Sequence, residues 1–140
     1  MNEHLFGEIV PWERMGIFLL GEHIDAIKRK IDFAYTVVVS GDCTIVESEG
    51  IDLFFDENLA LIQLTAYGTY KGKVLGEVGV GSILADYRDL LEYELIEDDN
   101  DCNFFSKQYK GIYFILEGWD DDNSAIKSIS VNKIPFNSEA

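Results

Sequence analysis

The chain has 140 residues, of which 47% are hydrophobic and 13% aromatic, proportions that exclude an intrinsically disordered chain. Its 26 acidic and 11 basic side chains give a formal net charge of −15, which argues against nucleic acid as a partner because phosphate contacts depend on Lys and Arg. The two cysteines, Cys43 and Cys102, are too few for a disulfide scaffold and lack the spacing of a zinc site. A basic protein is the partner that this charge would attract, although an acidic surface also serves solubility alone.

The N-terminal segment contains early acids and has no apolar run as long as that of a signal peptide. Its apolar stretch GIFLL, residues 16–20, is far too short to span a bilayer. We therefore expect a full-length cytoplasmic protein that does not contact a membrane.

Two glycine-bounded turns each precede a predicted amphipathic helix. Gly16 and Gly21 have the same spacing as Gly76 and Gly81. The second helix is predicted to continue as far as the acidic run at Glu97. Apolar residues recur at helical spacing after both glycine pairs, at Ile24, Ile27 and Ile31 and again at Leu84, Tyr87 and Leu91.

Alternating apolar residues predict strands at matching places in the two halves of the chain. Gly50 opens the stretch GIDLFF, and Gly111 opens the similar stretch GIYFIL. A turn and a further apolar strand follow each of them, from Asn58 and from Asn123. Other extended segments are expected in TVVVSGDCTIVE, residues 36–47, and in DCNFFSKQY, residues 101–109.

These patterns predict a single α+β domain over residues 1–140, with internal repeats at about 7–67 and 72–134. Each repeat would be a short helix followed by antiparallel strands, with the helices packed on one face of the sheet. Chance similarity between short patterned segments is the alternative to duplication.

No catalytic, cofactor-binding or metal-binding constellation is visible in the sequence. His4 and His23 lack a neighbouring group that would orient a general base. The glycines of residues 76–81 have neither the spacing of a dinucleotide fingerprint nor the Lys of a P-loop. An acidic run could hold calcium weakly, but the twelfth position of a loop that starts at Asp120 or Asp121 is Val131 or Asn132 and not the Glu of an EF-hand. We predict a protein that is not an enzyme and uses no cofactor.

Two acidic runs in the second half of the chain lie beside aromatic residues, a composition typical of a protein interface. Strand alternation also places Phe54, Tyr113 and Ile115 on the outer face of the sheet. They would form an exposed apolar patch there unless a second layer or a dimer partner covers them. The predicted partner-binding residues are Tyr93, Glu97, Asp98, Asp99, Asp101, Tyr113, Trp119, Asp120, Asp121 and Asp122.

The pattern Gly16-x-x-x-x-Gly21 with Gly76-x-x-x-x-Gly81, together with Gly50-Ile51 and Gly111-Ile112, resembles the repeat architecture of the beta-lactamase inhibitory protein family. Each half is also similar to the small outer-membrane assembly lipoprotein domain. This resemblance covers roughly residues 16–131 and implies a domain that works by holding another protein. A small acidic cytoplasmic protein of this kind also resembles the immunity proteins of bacterial contact-dependent and polymorphic toxin systems, many of which neutralise nucleases with basic active sites.

The resemblance and the charge together predict an inhibitor that binds a cognate basic toxin and occludes its active site or substrate groove. The alternative is a structural or assembly adaptor that homodimerises through its outer sheet face and buries Phe54 and Tyr113. An enzyme that depends on His23 is a third possibility.

Overall fold

A computed structural model describes residues 3–97 and 102–133 of the chain. Short strands at its N-terminus form a small three-stranded sheet, and eight further strands form one large antiparallel sheet. The elements in chain order are β1 (Ile9–Val10), β2 (Arg14–Met15), β3 (Phe18–Leu19), α1 (Ile24–Lys30), β4 (Thr36–Ser40), β5 (Cys43–Glu47), β6 (Ile51–Phe55), β7 (Leu61–Tyr67), α2 (Arg88–Leu91), β8 (Tyr93–Glu97), β9 (Cys102–Ser106), β10 (Ile112–Leu116) and β11 (Ile126–Asn132), with 3-10 turns at Glu3–Leu5 and Leu84–Tyr87.

The large sheet has the strand order β4-β5-β6-β7-β11-β10-β9-β8, so two four-stranded meanders meet at its centre. The central pair is antiparallel and places Leu64 opposite Val131 and Ala66 opposite Ile129. All other pairs in the sheet join strands that are consecutive in sequence. The sheet therefore has β4 at one edge and β8 at the other.

One face of the large sheet carries the hydrophobic core. Residues alternate along β6, where Ile51, Leu53 and Phe55 are buried and the two residues between them are half-buried. Phe114 on β10 is also fully buried within this core. The alternation predicted for β6 is correct, because every second side chain of a strand points to the same face, whereas on β10 Tyr113 is buried in addition to Ile112, Phe114 and Leu116.

The small sheet and the helices close the core from the other side. Met15 and Phe18 of the small sheet and Ile27 of α1 are buried in the same cluster as the strand residues. The hydroxyl of Tyr70, itself buried, donates a hydrogen bond of 2.7 Å to the carbonyl of Gly7. The N-terminal segment is thus packed onto the chain that follows β7.

The predicted α+β class, a tandem repeat of a helix followed by strands, is wrong, because strand dominates the described structure. The helices α1 and α2 have only 7 and 4 residues. The predicted second helix is present only over residues 84–91, as the 3-10 turn followed by α2. It begins directly after a β-bridge between Ile83 and Ala125, and the amide of Ala85 donates to the carbonyl of Asp122. After α2, Glu92 adopts a left-handed conformation that ends the helix, and Glu97 lies in strand β8 rather than in a helix.

The glycine turns contact the two meanders in equivalent ways. The amide of Gly21 donates to the carbonyl of Leu61 at 2.7 Å, and the amide of Gly81 donates to the carbonyl of Ile126 at 2.8 Å. Both acceptors are the first residue of a central strand. Gly21 and Gly81 thus occupy equivalent positions, while the duplication of residues 7–67 and 72–134 remains a prediction.

Among the described residues, no helix has the length and apolar character needed to cross a membrane.

Candidate protein-binding site

Strand β8 and the loop between β10 and β11 carry side chains that bond directly to each other. The hydroxyl of Tyr93 donates to Oδ2 of Asp122 at 2.7 Å, and Nε1 of Trp119 donates to Oε2 of Glu97. Arg88, at the start of α2, donates to the same Asp122 oxygen at 3.1 Å. We call these five residues the acidic–aromatic cluster.

Tyr93 is held on its strand by a second aromatic ring. It is partly buried, and its ring meets that of Phe104 on the neighbouring strand edge-on, with 5.6 Å between centroids and an interplanar angle of 83°. This is a favourable arrangement for two aromatic side chains. The phenol is thereby fixed at a position from which it can bond to Asp122.

The loop between β10 and β11 is ordered by its own polar side chains. The amide of Gly118 donates to Oγ of Ser124 at 2.9 Å, and that hydroxyl donates to the carbonyl of Asp121 at 2.6 Å. Asp121 Oδ1 also accepts the amide of Asn123 at 3.0 Å. These bonds satisfy the backbone of a surface turn, as Asp and Ser do in many loops.

Trp119 is presented at the surface by this loop. It is 44% exposed and has a φ of 61°, in the left-handed region that residues other than glycine seldom occupy. Such a conformation persists only where the surroundings impose it, and it is frequent in functional loops. The indole is therefore an exposed but positioned aromatic group.

The electrostatics of the cluster fix the protonation states of Tyr93 and Asp122. The hydrogen bond from Tyr93, aided by Arg88, lowers the pKa of Asp122 below its usual value. Burial, together with the hydrogen bond to Asp122, raises the pKa of Tyr93 to about 12. At neutral pH the cluster thus presents a carboxylate and a neutral phenol.

Further carboxylates surround the cluster. Asp120 and Asp121 are exposed at the tip of the loop, next to Trp119, and Glu117 is exposed where the loop begins. A positioned indole inside a rim of acids can bind a partner that presents Lys and Arg around an apolar pocket.

The structure brings most of the described predicted site residues together. Tyr93, Glu97, Trp119 and Asp122 belong to the cluster, and Asp120 and Asp121 lie beside it. The predicted residues Asp98, Asp99 and Asp101 lie outside the described part of the chain.

Tyr113 does not join the cluster. It is only 3% exposed and lies on β10 opposite Phe105 and Ser130, at the end of the strand away from the loop. The prediction that Tyr113 is an exposed anchor is therefore wrong. Strand alternation correctly predicts that Tyr113 lies on the outer face of the sheet, but it does not predict how far the side chain is buried there.

The outer face of the sheet does not carry the continuous apolar patch that was predicted. Phe54 and Ile115 are half-buried, but the central strands β7 and β11 lie between them. On those strands the hydroxyls of Thr65 and Ser130 are 2.8 Å apart, and Gln63 donates to Thr65 at 3.0 Å. A polar stripe thus divides the face in two.

Sequence reasoning missed Arg88 and Phe104. Arg88 lies far from Asp122 in sequence, so no local spacing indicates that they pair. Phe104 was expected in an extended segment, but its contact with Tyr93 depends on the register between β8 and β9. The contacts of these two residues cannot be predicted without knowledge of the strand order.

The histidines have structural roles in the described residues. His23 Nδ1 accepts the amide of Asp25 at 3.1 Å and so caps α1, and the ring of His4 stacks on Phe33 at 3.8 Å. Within residues 3–97 and 102–133, no group of three or more His, Cys, Asp or Glu side chains is arranged to hold a metal ion.

No protein-family model, curated protein or solved structure matches this chain.

Proposed function

We propose that this chain is a protein-binding inhibitor of the immunity type, which captures a cognate basic toxin through the acidic–aromatic cluster. The observation that carries the proposal is the position of Trp119, exposed beside Glu97, Asp120 and Asp122 on an ordered loop. Exposed tryptophans in such positions frequently contribute most of the binding energy at an interface.

The charge of the chain supports a basic partner. A net charge of −15 accelerates the encounter with a positively charged surface and repels acidic competitors. The loop carboxylates are favourable partners for Lys and Arg, whose charges would otherwise contact nucleic-acid phosphates. A nuclease whose substrate groove is covered in this way cannot bind its substrate, so the inhibitor needs no catalytic group of its own.

The order of the loop favours tight binding. Because Ser124 and Asp121 already fix the backbone around Trp119, little conformational entropy is lost when the indole enters a pocket. Trp119→Ala should therefore weaken the complex by at least about 2 kcal/mol, roughly 30-fold in Kd, chiefly through faster dissociation. Ile17→Ala is the matched control, since Ile17 is an exposed apolar residue in the N-terminal segment.

The carboxylates around Trp119 affect the rate of association rather than the rate of dissociation. Asp120→Lys should slow association and leave dissociation nearly unchanged, and the effect should shrink at high salt. Glu57→Lys makes the same charge change on the exposed turn between β6 and β7 and should have little effect.

The test is titration calorimetry and surface-based kinetics with the product of the adjacent upstream gene, because an immunity gene normally lies beside its toxin gene. Formation of a complex that inhibits the partner, with the Trp119 and Asp120 effects above, supports the proposal. Failure to form a complex at low or moderate salt excludes it.

A further inference from the structure

Strand β4 is exposed along its whole length. Every residue of Thr36–Ser40 is exposed, and Val37, Val38 and Val39 have exposed fractions of 42%, 37% and 70%. Within residues 3–97 and 102–133, β4 pairs only with β5 and contributes no residue to the core cluster. Three consecutive valines at a free sheet edge form a surface that proteins ordinarily cover.

The two edges of the sheet differ in charge. At the β8 edge, Glu94 and Glu97 are exposed within the strand itself, and charged side chains of this kind prevent pairing between edges. The β4 edge has no charged residue between Thr36 and Ser40 and contains no proline. Of the two edges, only β4 is chemically suited to accept another strand.

The free backbone groups of β4 can be assigned from its hairpin. Ser40 and Cys43 close a two-residue turn, and Val38 lies opposite Ile45. Hydrogen-bonded and non-hydrogen-bonded pairs alternate along an antiparallel ladder, so Val38 directs its amide and carbonyl toward β5. Val37 and Val39 consequently direct theirs outward, to the free edge.

We propose that a second copy of this chain pairs with this edge, β4 against β4 in antiparallel orientation, with Val38 on the two-fold axis. In this register Val37 of one copy lies opposite Val39 of the other, and their outward backbone groups exchange hydrogen bonds. The same residues serve both copies, as a symmetric dimer interface requires. The two sheets then form one continuous sheet.

The self-complementary register of β4, together with its lack of carboxylates, favours a second copy as the occupant. Two molecules of net charge −15 can approach closely only where carboxylates are absent from both, and the centre of β4 is such a place. In the proposed register Asp42 of the turn falls opposite Ala34 rather than opposite another acid. A basic partner would gain no ion pair from Thr36–Ser40, so the charge complementarity that favours such a partner elsewhere does not apply here.

Pairing of β4 between two copies of the chain does not involve the surface that is proposed to bind the toxin. The acidic–aromatic cluster includes residues of β8, whereas β4 lies at the opposite edge of the sheet. Failure to bind the toxin would therefore not contradict the proposed dimer, and a monomeric chain would not contradict the proposed inhibitor.

Sedimentation velocity from about 1 to 100 μM tests the dimer, with Val38→Lys as the disrupting variant. Opposed lysines should raise the dimer dissociation constant at least about tenfold. Leu95→Lys is the matched control, because Leu95 is 41% exposed on the other edge strand and should leave the dimer intact. Circular dichroism of both variants checks that they fold. A wild-type chain that stays monomeric up to about 100 μM, or a dimer that only Leu95→Lys dissociates, overturns the proposal.

Cysteine cross-linking tests the register without introducing charge. In a background with Cys43→Ser, Val38→Cys should form an intermolecular disulfide rapidly, because a non-hydrogen-bonded pair on a two-fold axis brings the two sulfurs within bonding distance. Val37→Cys should cross-link slowly, because its symmetry mate is about 7 Å away along the strand. Faster cross-linking through Val37 would contradict the proposed axis.

Discussion

The hydroxyl of Tyr93 on β8 lies 2.7 Å from Oδ2 of Asp122, in the loop between β10 and β11. This bond fixes the β8 edge of the sheet to the loop that presents Trp119. Because a partly buried phenol depends on its acceptor, the bond matters for stability as well as for the site.

Asp122→Ala should lower the free energy of unfolding by about 1 to 2 kcal/mol, since it leaves the Tyr93 hydroxyl without its acceptor. The exposed pair between Arg88 and Asp122 adds little to this loss. Urea denaturation measures the effect. Asp120→Ala removes the same charge from an exposed position and should stay within about 0.5 kcal/mol of the wild type. Equal losses in the two variants would mean that net charge, and not the bond, is responsible.

Tyrosine ionisation should reveal the same bond at alkaline pH. Burial raises the pKa of Tyr93 and of Tyr67 to about 12, with further contributions from Asp122 and Asp52 respectively. Because the folded pKa values are raised, the stability they contribute is fully present below about pH 10 and is lost as the pH rises through about 12. Ultraviolet titration of the phenolate in Asp122→Ala should show the Tyr93 transition at lower pH. Tyr93→Phe should abolish that transition and leave the one from Tyr67.

Glu92→Gly should stabilise the protein by about 0.5 to 1 kcal/mol. Glu92 is exposed and ends α2 with a φ of 48°, a conformation that glycine adopts without steric cost. Glu92→Ala removes the same carboxylate but keeps the strained backbone, so thermal denaturation should show no gain for this variant. A gain shared by both variants would point instead to relief of acidic repulsion.

Gly111→Ala should destabilise the protein by about 2 to 4 kcal/mol. Gly111 has a φ of 81°, and a Cβ there would lie 2.6 Å from both the carbonyl oxygen of Asn132 and the ring of Trp12. Gly68 also has a positive φ but has no atom within 4 Å of a built Cβ. Gly68→Ala should therefore cost only about 1 kcal/mol, and chemical denaturation of the two variants separates backbone strain from the clash.

The sequence predicts those parts of the fold that depend on local periodicity. Ile51, Leu53 and Phe55 alternate along β6 and are buried as expected. The helical spacing of Leu84, Tyr87 and Leu91 also marks residues that face the core, since Leu84 and Leu91 are buried and Tyr87 is partly buried against the core cluster. These residues do lie in helical turns, a 3-10 turn at Leu84–Tyr87 and α2 at Arg88–Leu91, but the predicted continuation to Glu97 is wrong because Tyr93–Glu97 forms strand β8.

Other parts of the fold have no local signal. Strands β1, β2 and β3 have two residues each, too few for any period, yet Ile9, Met15 and Phe18 are buried. The acidic–aromatic composition around Tyr93 and Trp119 was visible in the sequence. That the two segments meet at one place follows only from the strand order, in which β8 and β11 belong to the same meander.

The strand order also sets a sequence of events during synthesis. Residues of β4 to β7 emerge from the ribosome in succession and can pair at once as local hairpins, whereas β7 must wait for β11, whose first residue is Ile126. Closing so long a loop carries an entropic cost that hairpins avoid. Until residue 132 is synthesised, one edge of the strand Leu61–Tyr67 therefore remains unpaired on the nascent chain. A chaperone or another nascent copy can bind that edge before β11, its native partner, is available.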